Sequence, residues 1–168
     1  GHGIAVMKAV SHADGVYFKN IDSDDWVDGD ALKTFLQQLR TFIASDNPVD
    51  LVLSNYVYEH VEDNTQNFVD YRDAVTTNKI IGWDEIGRFK LSLLMHAITY
   101  RVEVLRSANI QMPEHTFYVD NVYAYVPFPK VKTIYYVDVD LYRYFIGRDD
   151  QSVNEKVLTS RVDHYWRV

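Results

Sequence analysis

A chain of 168 residues with 17 basic against 24 acidic side chains carries a net charge of −7, which disfavours broad nucleic-acid binding. The absence of cysteine excludes disulfide frameworks, thiol catalysis and thiolate zinc sites, and fits a reducing compartment. Hydrophobic residues at 47% argue for a packed core over disorder. The length suits one domain, and no apolar run approaches the roughly 20 residues of a membrane span.

In chain order, Ile4, Ala5, Val6, Ala9, Val10 and Ala13 recur with helical spacing until Asp14-Gly15 stops them. Residues 16–21 read as a strand, although Lys19 and Asn20 spoil a clean buried pattern. Asp22-Ser23-Asp24-Asp25 follows, then Trp26. Next comes a helix with Leu32, Phe35, Leu36, Leu39, Phe42 and Ile43 on one face, capped by Asp28 and ended before Pro48. Residues 50–58 predict a strand, and the polar stretch 59–78 a loop. Residues 93–100 read as extended and 101–108 as a short helix. A further helix over 120–126 is interrupted by Pro127 and Pro129. Residues 131–145 are rich in β-branched and aromatic types and predict one or two strands. Ser152 and Glu155 form a capping box for a final helix presenting Val157, Leu158, Val162, Tyr165 and Trp166. Alternating helices and strands predict an α/β fold with a mixed, mostly parallel sheet flanked by helices. Ligands of such sheets gather at the carboxyl ends of strands, where the acidic cluster lies.

Crowded carboxylates repel one another unless a cation sits between them, and hard oxygen ligands suit magnesium or manganese. A calcium loop starting at Asp22 would put Trp26, Val27 and Lys33 at its fifth, sixth and twelfth positions, which fails the EF-hand pattern. A phosphatase of the haloacid-dehalogenase type also places Asp-x-Asp after a strand. Its Thr or Val is replaced here by Trp26, and its later lysine-plus-acidic motif is not evident. A nucleotide-sugar transferase uses Asp-x-Asp to hold a divalent ion against a donor diphosphate. Thirteen tyrosines and three tryptophans suit sugar stacking, and equally ordinary half-buried strands. A sugar-binding module without chemistry is therefore a further reading.

The stretch GHGIAVMKAVSHADGVYFKNIDSDDWVDGDAL resembles the middle of family-2 glycosyltransferases, which have the GT-A fold. DLVLSNYVYE, MPEHTFYVDNVYAYVPFP and KTIYYVDVDLYRYFIGRDDQSVNE resemble that family's acceptor-side half, so the likeness runs over nearly all 168 residues. It implies a single partial GT-A domain over residues 1–168. It also implies inverting, metal-dependent transfer from a nucleotide-diphosphate sugar, UDP being the commonest donor nucleotide, to a glycan or lipid-linked acceptor. The expected setting is bacterial surface polysaccharide synthesis, in the cytoplasm or at the inner face of the membrane.

By position, the resemblance makes Asp24 the metal ligand, with Mn²⁺ or Mg²⁺ as cofactor, and Asp22 its partner near the ribose and diphosphate. Asp25 is an adjacent acid on the donor side. Asp120 stands where the family carries its catalytic base; read locally, it is equally an ordinary helix N-cap. Arg148, with Gln151 and Ser152, falls in the family's closing segment near the diphosphate, although Ser152 already suffices as a cap. Trp26 and His96 are acceptor-side candidates; for His96 a satisfied core position is the more ordinary reading. The departures are Val6-Met7 in place of Arg-Asn, Val119 in place of the Glu of the base motif, and no opening nucleotide-binding strand. The last predicts a portion of a longer enzyme, weakly active or inactive alone and with a sheet edge open to self-association.

Overall fold

The computed structural model describes residues 1–45, 48–147 and 159–168. Helix α1 (His2–His12) leads into β1 (Tyr17–Phe18), the acidic turn, β2 (Trp26–Val27) and helix α2 (Gly29–Ala44). Strand β3 (Leu51–His60) forms a hairpin with β4 (Thr65–Val69). Then come β5 (Ile80–Ile81), β6 (Ile98–Arg101), helices α3 (Val102–Ser107) and α4 (Val119–Tyr125), the long β7 (Ile134–Ile146), and a one-turn α5 (Val162–Tyr165). No described helix is long and apolar enough to cross a membrane.

The sheet runs β1-β6-β3-β7-β2, with β4 added to β3 and β5 to β7. It is mixed, as expected, but the mostly parallel expectation is corrected: β3 with β7 is the one parallel ladder between named strands. The other ladders are antiparallel. β3 and β4 are joined by a hairpin, and the other antiparallel partners are strands far apart in the chain.

Period-2 alternation divides the core. Leu51, Leu53, Ile134 and Tyr136 face a cluster that includes Val6 and Val10 of α1, Val104 and Leu105 of α3, and Val122 and Tyr123 of α4. Val52, Tyr135, Val137 and Leu141 face the opposite layer, where α2 lays down Phe35, Leu39 and Phe42. Asp28 caps α2 as the sequence predicts: its side chain accepts from Asp30 N (3.1 Å) and Ala31 N (2.9 Å).

The parallel register slips twice beside Asn55, so Asp138 and Asp140 fall on the strand parity of Tyr136 and Tyr142. Asn55 Nδ2 donates to both carboxylates (2.8 and 3.1 Å), and Arg72 Nε donates to Asp138 (2.7 Å). β7 is exposed at Asp138 and half-buried at Asp140, so solvent and these bonds together satisfy the two acids.

Other expectations shift locally. The predicted loop 59–78 contains β4, illegible because four of its five residues are exposed and show no apolar alternation. The strand predicted over 16–21 is only β1, because the chain leaves the sheet at Lys19 to enter the turn. The extended run 93–100 is a 3₁₀ turn (Met95–Ala97) followed by β6. The capping box Ser152/Glu155, with Val157 and Leu158, lies outside the described residues; within 159–168, residues 159–160 and Val162–Tyr165 are helical.

Candidate active site

β1 delivers the chain to the acidic turn, which Asp25 N closes on Asp22 O (3.1 Å). Tyr142 on β7 organises it: its hydroxyl accepts from Asp22 N (3.2 Å) and donates to Asp25 Oδ2. Asp25 Oδ1 accepts from Phe145 N (2.9 Å), so both oxygens of this carboxylate are engaged. Burial pushes the Asp25 carboxyl above its usual range, and the bonds from Tyr142 and Phe145 oppose that rise. Asp25 is thus a strut tying the turn to the end of β7.

Asp22 Oδ1 accepts from Asn20 Nδ2 (2.6 Å) and lies 3.7 Å from His2 Nε2. His2 opens α1, and Gly3 explains how that end comes so close. A Cβ there would meet Val119 Cγ2 at 3.1 Å and Met112 Sδ at 3.2 Å, so glycine lets α1 settle on the start of α4.

Asp120 sits in the first turn of α4. It is not the N-cap; Tyr118 holds that place in a left-handed conformation (φ 63°), which a bulky side chain rarely adopts. The preceding segment is held from outside: His164 Nδ1 accepts from Phe117 N (3.0 Å), and the Arg161 guanidinium lies 3.6 Å over the Phe117 ring. Burial raises the Asp120 pKa; His2 lowers it and Asp22 raises it, so these three groups share one field. The turn and α4, far apart in sequence, converge there.

Beside them lies Lys19, whose Nζ donates to His96 O (2.6 Å) and stands 5.6 Å from the Tyr142 ring centroid. Burial lowers its pKa to about 7. His96 is 7% exposed and packed against Tyr56, Tyr142 and Tyr144, with ring centroids 5.6, 4.8 and 4.7 Å away. Desolvation lowers its pKa to about 3, with Lys19 and His2 adding repulsion. His96 is therefore a neutral core residue rather than one facing an acceptor, although its buried Nδ1 lacks a hydrogen-bond partner. Trp26, by contrast, is 43% exposed next to the turn. Arg148, Gln151 and Ser152 lie outside the described residues.

Asp22 and Asp24 are the candidate metal ligands, while both oxygens of Asp25 hold the turn to β7. No group of three or more acidic or histidine side chains among the described residues could hold an ion alone. That donor set fits magnesium or manganese, which take one or two carboxylates and complete their shell with water and substrate phosphates.

Sequence reasoning missed His2 and Tyr142, and noted Asn20 only as a break in the strand pattern. The signal for Lys19 was present, as the cation that breaks the strand pattern. Tyr142→Phe tests the strut: it leaves Asp22 N and Asp25 Oδ2 without their partner, at a cost of about 1–3 kcal/mol. Thermal denaturation is expected to show a lowered Tm with the fold intact; an unchanged Tm would mean that the hydroxyl does not hold the turn.

The curled mixed sheet flanked by helices is a glycosyltransferase-like fold. Residues 1–349 of Staphylococcus aureus TarS superpose with a TM-score of 0.62 at 17% identity, covering 86% of this chain and 40% of that one. A second TarS structure from that organism gives 0.59 at 17% identity, over 85% of this chain and 24% of that chain. The chain thus spans less than half the length of either. No family model matches the sequence, and no curated protein matches it.

Proposed function

We propose that this chain is the acceptor-side portion of an inverting, metal-dependent sugar transferase of the family-2 type. The observation that carries the reading is that the start of α1 bridges the two segments: His2 Nε2 lies 3.7 Å from Asp22 Oδ1, and Gly3 packs on Val119 beside Asp120. The glycosyltransferase-like fold supports it.

In this reading Asp120 accepts the proton of an acceptor hydroxyl while that oxygen attacks the anomeric carbon of the donor. The bond from that carbon to the diphosphate breaks, the leaving group takes the electron pair, and the configuration inverts. Asp22 and Asp24 hold the divalent ion, which when bound neutralises charge growing on the diphosphate. Asp25 and Tyr142 keep the turn in shape, and Trp26 offers an exposed ring on the acceptor side. The donor is a nucleotide sugar, with UDP the first choice, and the acceptor a glycan or lipid-linked glycan of a bacterial surface polymer, met at the inner face of the membrane.

Calorimetric titration of UDP with and without manganese tests this. Metal-dependent binding that Asp24→Asn weakens at least tenfold is the expected result. Binding indifferent to both would remove the metal-diphosphate role. A covalent phosphate on Asp22 after incubation with a phosphate ester would replace transfer with phosphatase chemistry.

A further inference from the structure

Phe68 of β4, the segment 70–74 that follows it and residues 89–91 line an open cleft of about 210 Å³. Phe68, Tyr71, Phe89 and Leu91 line it, together with Asp70, Asp73 and Lys90. Phe68 and Leu91 are 58% and 53% exposed, an unusual outlay of apolar surface for an otherwise polar hairpin. Phe89 meets Tyr71 edge to face at 5.9 Å, and Tyr71 donates to Ser92 O (3.3 Å), so these rings have set positions.

The charges in the walls are already paired. Arg72 donates to Asp70 (2.9 Å), and Lys90 bonds to Asp73. A cation or a phosphate would find its partner taken. A neutral polyhydroxyl would not, because each carboxylate keeps free lone pairs that accept hydroxyl hydrogens. Aromatic faces beside hydroxyl acceptors suit a sugar ring, and the volume suits one unit.

Inward from Tyr71, a run of packed rings leads through the core towards the acidic turn. The hydroxyls of Tyr56 and Tyr58 lie 3.4 Å apart and beside that of Tyr71. Tyr58 meets Tyr144 at 5.4 Å, Tyr144 meets His96 at 4.7 Å, and His96 meets Tyr142, whose hydroxyl bonds Asp25.

We propose that the cleft is a remote acceptor subsite, holding one neutral sugar unit of the acceptor glycan. The proposal rests on the transferase reading, and one experiment separates the two. The isotopically labelled chain is titrated with maltotriose and with chitotriose, and separately with UDP plus magnesium, following backbone amides by NMR. At least one trisaccharide is expected to move the amides of residues 68–73 and 89–91, and Phe68→Ala to weaken that binding roughly fivefold, the scale of one aromatic contact. If UDP moves residues 22–25 while neither trisaccharide moves the cleft, the subsite is overturned and the transferase stands. Cleft shifts without any response to UDP keep a glycan site and remove the transferase. Shifts at Phe68 and Leu91 that grow with protein concentration alone, and vanish in Phe68→Ala, would make this face a contact between copies and overturn the subsite.

Discussion

Asp120→Asn is expected to lower sugar transfer by about 10²–10⁴-fold, the usual contribution of a general base, and to leave UDP–metal binding unchanged. The amide keeps the shape and loses the proton acceptor. Burial raises the Asp120 pKa, so the carboxylate must ionise above the ordinary aspartate value of about 3.9 before it can act. The acid limb of kcat/KM should therefore fall above that value and disappear in the variant. The stability sign is opposite. A carboxyl whose pKa is raised in the folded state favours folding while protonated, and that contribution is lost as pH rises through the raised value. At pH 7 the Asn variant is accordingly expected to match or exceed the parent in Tm, which separates lost chemistry from lost fold. An unchanged UDP-release rate would remove Asp120 from the role of base.

Lys19→Met is expected to give the largest change in stability. Burial lowers the pKa of this ammonium from 10.5 to about 7. Between those values the unfolded chain holds a proton that the folded chain lacks, so stability rises with pH by up to about 1.4 kcal/mol per unit. For a domain of this size that corresponds to about 3 °C in Tm per unit. Below pH 7 the amine is charged in both states, and the slope ends with the full penalty in place. Above pH 9 the buried tyrosines oppose the trend, because burial holds Tyr56, Tyr100 and Tyr142 protonated in the folded chain. Methionine keeps the length of the stem without the charge. Its Tm should be higher at pH 7 and flat from pH 7 to 9; a slope that persists in the variant would assign the pH dependence to another group.

Lys19 stands over the ring whose hydroxyl holds Asp25, within reach of the field that His2 also feels. Its cost to stability is thus borne at the site rather than in a distant part of the core, where strain would serve nothing.

The helices and long strands were legible in the sequence because each repeats a local period. The apolar face of α2 and its Asp28 cap, the run of β3 and the start of β7 follow from spacing and capping over a few residues. Strand β4 was not legible, since an exposed hairpin has no buried face to impose alternation. The order of the acidic turn, the Asp120 segment and the β7 motifs along the chain marked the candidate residues by resemblance. What the sequence by itself determined was which segments are helix or strand and which acids cluster at one strand's end, because those depend on neighbours within a turn or two. Only the tertiary structure decided that Asp25 is a strut, that His96 is core, that Gly3 brings His2 beside Asp22, and that Asp120 shares their field. Those facts depend on the slipped β3–β7 register and on α1 packing against α4, contacts between segments whose separation along the chain no local pattern encodes.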